Sequence, residues 1–105
     1  MGIDDEDELE SDVELDDPEL REPHRYSVWL HNDNYTSMEF VIEVLARVFK
    51  KSEDEATELM LKVHTSGRAV AGVYVREIAE MKVHQVIILA KSRGFPLMCT
   101  AEPST

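Results

Sequence analysis

The chain has 105 residues and a formal net charge of −11, from 22 acidic and 11 basic side chains. Residues 1–23 hold 12 of the acids and a single base, whereas residues 24–105 hold 10 acids and 10 bases. A body without net positive charge is a poor partner for nucleic acid, and an acidic segment is repelled by anionic membrane surfaces. The length allows one domain.

We predict a disordered acidic extension over residues 1–25 and one folded domain over residues 26–105. The extension has too few apolar residues to offset the loss of chain entropy on folding. The first residues lack a secretory signal pattern, and no segment has the ~20 apolar residues of a membrane span. The single cysteine, Cys99, excludes an intramolecular disulfide and suits a reducing compartment. We therefore expect a cytoplasmic protein.

The domain is predicted to begin with a strand and a helix. Alternating apolar residues predict a strand over residues 26–31, which the turn-forming side chains of residues 32–34 end. Thr36 and Glu39 have the spacing of a capping box, in which Thr36 would accept a hydrogen bond from a free helical N–H. The helix that they open is expected to end near residue 50.

A second helix and a second strand follow. Ser52 and Glu55 form another capping box, and Gly67 has the position of a left-handed residue that ends a helix. The valine-rich residues 68–75 predict a strand, in which Gly72 is a candidate for a β-bulge.

The last two predicted elements are a helix over residues 77–91, ended by Gly94, and a short strand over residues 97–101. Apolar spacing places five side chains on the buried side of this helix: Ile78, Val83, Val86, Ile87 and Ala90. The order β-α-α-β-α-β predicts a small α+β domain, a three-stranded antiparallel sheet packed on three helices.

Few side chains suggest chemistry. The four histidines have no zinc-binding spacing, so we expect neither a metal site nor a cofactor. Cys99 lies in an apolar strand and is expected to be a buried structural thiol. A small hydrolase that uses His64 with Asp33 is conceivable, and so is an α+β interaction domain with an unrelated protein partner. The run of residues 32–34 presents many hydrogen-bond acceptors before a helix, beyond what a plain turn needs.

Five segments resemble the ClpS adaptor family, in order and with family-like spacing. They are residues 30–41 (LHNDNYTSMEFV), 58–64 (ELMLKVH), 71–74 (AGVY), 77–83 (EIAEMKV) and 96–100 (PLMCT). The resemblance covers roughly residues 26–102. It implies an adaptor without catalysis, which binds the free N-terminal Leu, Phe, Tyr or Trp of N-degron substrates. Such an adaptor delivers its substrates to the ClpAP protease through the N-domain of the AAA+ unfoldase ClpA. We expect a monomer.

The resemblance also implies roles for individual residues. Those expected to bind the α-amino group of the substrate are Asn32, Asp33, Asn34 and His64. Those expected to line the hydrophobic pocket are Thr36, Met38, Val41, Met60, Val63 and Leu97, with Met38 as a gate against β-branched side chains. Glu77 and Lys82 are expected to lie on the surface that binds the unfoldase.

Two positions depart from the family pattern. Asn34 stands where the family usually has an aspartate near the α-amino group, and Ser37 replaces a common proline. An amide oxygen still accepts a hydrogen bond, but the negative charge is lost. We therefore expect weaker ammonium binding, a narrower residue preference, or both.

Overall fold

A computed structural model describes residues 24–104 of the chain. The elements in these residues are β1 (Arg25–His31), α1 (Met38–Arg47), α2 (Glu53–Ser66), β2 (Arg68–Tyr74), α3 (Arg76–Arg93) and β3 (Met98–Ser104). The predicted α+β class and the order β-α-α-β-α-β are confirmed. The predicted acidic extension lies outside the described residues except for its last two, and the second of these, Arg25, already belongs to β1.

Within the described residues the sheet is antiparallel and three-stranded, in the order β2-β1-β3. His31, the last residue of β1, pairs with Arg68 on one side and Met98 on the other. The register between β1 and β2 shifts because Val28 pairs with Gly72 while Trp29 pairs with Val70. The extra residue on β2 is therefore Ala71, so the predicted bulge lies one position before Gly72.

Gly72 has a packing reason to lack a side chain. The ring of Tyr74 packs over it so closely that a Cβ on Gly72 would lie 2.7 Å from Tyr74 Cζ. Ordinary carbon contacts are about 3.5–4.0 Å, so a larger residue would displace the ring.

The core lies between one face of the sheet and the helices. Val28 and Leu30 alternate along β1 and are both completely buried, as expected of side chains two residues apart on a strand. The helices cover this face of the sheet. The helix α3 contacts all three strands, and α2 packs against β2. The helix α1 packs mainly on α2. No helix among residues 24–104 combines the length and apolar composition that crossing a membrane requires.

The opposite face of the sheet carries polar pairs around one aromatic side chain. The guanidinium carbon of Arg68 lies 3.7 Å from the ring centroid of Trp29, and Arg68 Nη1 donates a hydrogen bond of 2.9 Å to Glu102. On the same face His31 Nε2 and Thr100 Oγ1 are 2.8 Å apart. The indole Nε1 of Trp29 is buried without a hydrogen-bond partner among the described residues.

The prediction that Thr36 caps the first helix is wrong by one residue. Ser37 is the N-cap, and its hydroxyl accepts a hydrogen bond of 3.1 Å from the backbone N–H of Phe40. The hydroxyl of Thr36 instead donates to the carboxylate of Asp33, which holds Thr36 in the preceding turn. This helix also ends earlier than predicted, at Arg47.

The other predicted helix ends are confirmed. Ser52 and Glu55 form both hydrogen bonds of a capping box at the start of α2. Gly67 and Gly94 end α2 and α3 with φ values of 92° and 78°, the left-handed conformation that glycine adopts without strain.

The last helix and strand differ from the prediction in detail. Val86 and Ala90 are buried on the inner face of α3 as predicted, but Ile78 is 37% exposed, and Ala79 beside it is completely buried in its place. The strand β3 runs to Ser104 instead of Ala101, because its pairing with β1 continues through Pro103. A proline is compatible with this position since β3 is an edge strand.

Replacing the observed cap tests this description of α1. We expect Ser37→Ala to lower the free energy of unfolding by about 1 kcal/mol, since one N-terminal N–H of the helix loses its acceptor. Chemical denaturation measures the change. Ser66→Ala, at the exposed C-terminal end of α2, is the matched control and should change stability much less. Equal losses in the two variants would contradict the assignment of Ser37 as the cap.

Candidate functional site

The loop between β1 and α1 is folded around the carboxylate of Asp33. Asp33 Oδ1 accepts hydrogen bonds from the backbone N–H groups of Tyr35, at 2.8 Å, and Thr36, at 2.7 Å. Asp33 Oδ2 accepts from the hydroxyl of Thr36 at 2.8 Å. An aspartate that accepts from the backbone two and three residues ahead closes a tight turn. Asn32 and Asn34, on either side of Asp33, are exposed.

These hydrogen bonds also set the charge of the loop. Burial raises the pKa of the Asp33 carboxyl, but the hydrogen bonds from the two backbone N–H groups and the Thr36 hydroxyl together outweigh burial. The net result is a pKa below the usual range for aspartate. Asp33 is therefore ionised at neutral pH, and it contributes a fixed negative charge to the loop.

The C-terminal end of α2 is joined to the start of this loop by one backbone hydrogen bond. The N–H of Asn32 donates to the carbonyl of Gly67 at 2.8 Å, and the N–H of Gly67 donates to the carbonyl of Val63 at 3.0 Å. His64 lies in the last turn of α2 and is exposed, directly after the buried Val63. The loop and the end of α2 thus lie side by side.

A cavity of about 260 Å³ opens between the loop, α1 and α2. Its lining residues are Asn32, Asp33, Asn34, Thr36, Met38, Val41, Met60, Val63 and His64. All four residues predicted to bind an α-amino group line this cavity, together with five of the six predicted for the hydrophobic pocket. Residues that are up to 32 positions apart in the sequence therefore meet at one site.

Leu97 is the predicted pocket residue that does not line this cavity. It lies between α3 and β3, is only 5% exposed and belongs to the main core together with Cys99. Burial raises the pKa of the Cys99 thiol to about 12, so this cysteine stays protonated and unreactive at neutral pH.

The cavity combines apolar walls with hydrogen-bonding groups. Val41, Met60 and Val63 are buried and supply apolar surface from two helices, while Met38 is 49% exposed at the start of α1. The loop side chains supply amide and carboxylate oxygens, and His64 supplies an imidazole. Such a site suits a ligand with a donor-rich or cationic group next to a large apolar group. Within residues 24–104 no three His, Cys, Asp or Glu side chains are grouped so as to hold a metal ion.

The two residues predicted for an unfoldase surface lie apart from this cavity, on α3. Glu77 is exposed in the first turn of the helix, where a carboxylate suits the helix dipole. Lys82 is only partly exposed: its ammonium group donates a hydrogen bond of 2.7 Å to the carbonyl of Val48, just after α1. Its Nζ also lies 5.6 Å from the ring centroid of Tyr74. Lys82 therefore has a structural contact that the sequence pattern does not reveal.

A family model described as "ATP-dependent Clp protease adaptor protein ClpS" matches residues 21–100. The chain is 53% identical to the ATP-dependent Clp protease adapter protein ClpS of Lawsonia intracellularis over 83 residues, 79% of this chain and 76% of that one. It is 56% identical to the adapter protein ClpS of Desulfatibacillum aliphaticivorans over 81 residues, 77% of this chain and 78% of that one.

A solved structure is similar as well. The structure of Agrobacterium tumefaciens ClpS2 bound to L-phenylalaninamide matches with a TM-score of 0.75 and 47% sequence identity, over 79% of this chain and all of that one. Sequence and fold thus point to the same family, and the chain belongs to the ClpS family of ATP-dependent Clp protease adaptor proteins.

Proposed function

We propose that this protein binds the free N-terminal residue of N-degron substrates, with Leu, Phe, Tyr or Trp at that position. We propose further that it delivers these substrates to the ClpAP protease through the ClpA unfoldase. The observation that carries the proposal is one cavity in which Asn32, Asn34 and His64 lie beside apolar helix residues. The ligand of the Agrobacterium tumefaciens relative, L-phenylalaninamide, supports it, since that molecule joins a free α-amino group to an aromatic side chain.

The polar residues of the cavity would recognise the α-amino group. A free N-terminus is an ammonium ion with three donors, and it needs acceptors in a negative field. Asn32 and Asn34 offer amide oxygens, His64 offers a ring nitrogen, and Asp33 supplies the negative charge. A hydrogen bond to a charged group of this kind contributes roughly 1.5–3 kcal/mol.

The apolar residues of the cavity would recognise the first side chain of the substrate. Val41, Met60 and Val63 form walls on which a large apolar group loses its contact with water, and burying a Leu or Phe side chain contributes roughly 1.5–3 kcal/mol. Met38, half exposed, has the freedom to act as the gate against β-branched residues. Because neither half of the site gives strong binding alone, both a free N-terminus and a large apolar residue are required.

We propose that binding is not followed by catalysis. Both oxygens of Asp33 already accept hydrogen bonds from its own loop, which leaves Asp33 poorly placed to orient His64 as a catalytic base. The raised pKa of Cys99 argues against this thiol as a nucleophile. The protein would act as a cytoplasmic monomer whose partners are the substrate and the unfoldase.

The start of α3 is the surface that we propose for the unfoldase. Glu77 is exposed there, and the apolar side chains of Val75 and Met81 are each 51% exposed nearby in the chain. A charged residue beside exposed apolar groups suits a docking surface. In this proposal Lys82 contributes mainly by holding α3 to the end of α1 through Val48, so that the surface has a fixed shape.

Blocking the α-amino group of a peptide tests substrate recognition. We expect a fluorescent peptide that begins with Phe to bind at least ten times more tightly than its N-acetylated form, because acetylation removes the ammonium ion. Fluorescence anisotropy measures both dissociation constants. Equal affinity for the two peptides would contradict the proposed function.

The same assay with variants tests the site. His64→Ala should weaken binding of the free peptide about tenfold without a loss of stability, since His64 is exposed. His84→Ala, an exposed histidine on α3, is the matched control and should bind as the wild type does. An unchanged affinity in His64→Ala would show that the imidazole takes no part.

Restoring the family charge tests the role of Asn34. We expect Asn34→Asp to bind the Phe peptide about two to ten times more tightly, because a neutral acceptor becomes a charged one facing the ammonium ion. The gain should shrink as ionic strength rises from ~0.01 to ~0.15 M, since salt screens exposed charges. Gln85→Glu adds the same charge on α3 and should leave affinity unchanged. Equal gains in both variants would indicate a nonspecific field effect.

Charge reversal on α3 separates delivery from binding. We expect Glu77→Arg to slow degradation of a substrate with N-terminal Phe at least fivefold in a reconstituted reaction with ClpA, ClpP and ATP, because it alters the proposed docking surface. Peptide affinity should stay unchanged. Glu58→Arg, on the exposed side of α2, is the control and should support normal degradation. A normal degradation rate in Glu77→Arg would exclude this residue from the surface.

A further inference from the structure

We infer that Gly67 is a positioning residue for the proposed α-amino site, because its carbonyl holds Asn32 beside His64. The inference rests on the proposed function and extends it to a residue outside the cavity lining. The carbonyl of Gly67 accepts the N–H of Asn32 at 2.8 Å. Gly67 itself ends the helix that carries His64, three residues earlier in the chain.

The hydrogen bond continues the sheet beyond its last paired residues. His31 pairs with Arg68 at the end of the ladder between β1 and β2, and the bond from Asn32 to Gly67 lies one step further on. On the other side, the N–H of Gly67 donates to the carbonyl of Val63 at 3.0 Å, which ties Gly67 to the last turn of α2. Gly67 therefore sets the distance between the end of β1 and the end of α2.

The left-handed backbone of Gly67 makes this double contact possible. With φ at 92° and ψ at −29°, the chain closes the helix and then turns at once into β2. A side chain on Gly67 would meet no atom within 4 Å, so an alanine there adds backbone strain without a steric clash. Relief of that strain would rotate the peptide group after Gly67, and its carbonyl would turn away from Asn32.

The chain contains a matched control for this strain. Gly94 also ends α3 at a positive φ, with φ at 78° and ψ at 22°, hydrogen bonds from its N–H to the carbonyls of Ala90 and Lys91, and no atom within 4 Å of a built Cβ. It is not among the lining residues of the cavity. Alanine at either glycine should therefore lower stability, whereas only Gly67 is joined to the site.

The experiment compares Gly67→Ala, Gly94→Ala and Gly67→Asn. We expect Gly67→Ala to weaken binding of the free Phe peptide about three- to tenfold and to leave the much weaker binding of the acetylated peptide unchanged. Gly94→Ala should bind both peptides as the wild type does, although it too should lose stability in denaturation. Gly67→Asn should weaken binding of the free peptide less than Gly67→Ala does, since asparagine adopts a positive φ more readily than alanine.

The outcomes separate this inference from the proposed function. If the wild type does not distinguish the free peptide from the acetylated one, the proposed function fails. If the wild type does distinguish them but Gly67→Ala binds like Gly94→Ala, or Gly67→Asn binds no better than Gly67→Ala, the inference about Gly67 is overturned.

Amide exchange provides a second measurement if Gly67→Ala does not fold. In the wild-type protein, saturating Phe peptide should slow exchange of the Asn32 amide by a larger factor than exchange of the Phe95 amide, which bonds to Ala90 near Gly94. Where the wild type distinguishes the free peptide from the acetylated one, an equal factor at the two amides would also overturn the inference.

Discussion

The central position of β1 is the constraint on which the site depends. The strand is hydrogen bonded along both edges, and the side chains of Val28 and Leu30, on one of its faces, are completely buried. If β1 shifted by one residue relative to β2 or β3, the side chains of Val28 and Leu30 would point out of the core. The pairing register of β1 is therefore strongly specified. The point at which the chain leaves the sheet, at Asn32, is thereby fixed relative to the helices packed on that face. A loop that emerges from such a strand can present side chains in a defined place although the loop itself is exposed.

The loop supplies most of the polar groups of the site, and two helices supply most of its apolar surface. The carboxylate of Asp33 carries a full negative charge, and its hydrogen bonds go to groups of the same loop, which they hold in a tight turn. The asparagines beside it stay available to a ligand, and the helices supply apolar surface that needs no hydrogen bonds. In family members with an aspartate at the position of Asn34, two negative charges would face the ligand. In the proposed function, the single charge of Asp33, already engaged in the turn, would also have to provide the negative field around the ammonium ion. We therefore expect the apolar half of the cavity to carry a larger share of the selectivity.

Local chemistry explains what the sequence predicted well. The cap residues Ser52, Glu55, Gly67 and Gly94 act within a few positions of themselves, and all four have their predicted roles. Thr36 and Ser37 are adjacent hydroxyl residues that both fit a cap, and only the pairing of Thr36 with Asp33 decides between them. The nine residues that line the cavity were predicted from the resemblance to a family, since periodicity alone does not bring residues 32–41 next to residues 60–64.

The features that the sequence did not predict depend on packing between segments that are far apart in the chain. The buried face of α3 is set by where the sheet lies, which is why Ala79 is inside and Ile78 is partly exposed. The contact from Lys82 to Val48 joins residues 34 positions apart, and that from Asn32 to Gly67 joins residues 35 apart. Leu97 was predicted to line the hydrophobic pocket; it lies in the core, and it is not among the residues that line the cavity. No pattern of residue types in a single sequence encodes such contacts.

The polar face of the sheet has a practical consequence. Trp29 is the one tryptophan of the chain, and it lies on the side of β1 away from the helices, under the guanidinium group of Arg68. Its emission spectrum should therefore report whether the strands are assembled and should respond little to a ligand in the cavity on the other side. The protein thus carries an intrinsic optical probe of folding that is separate from its recognition site, so stability and affinity can be followed independently in one sample.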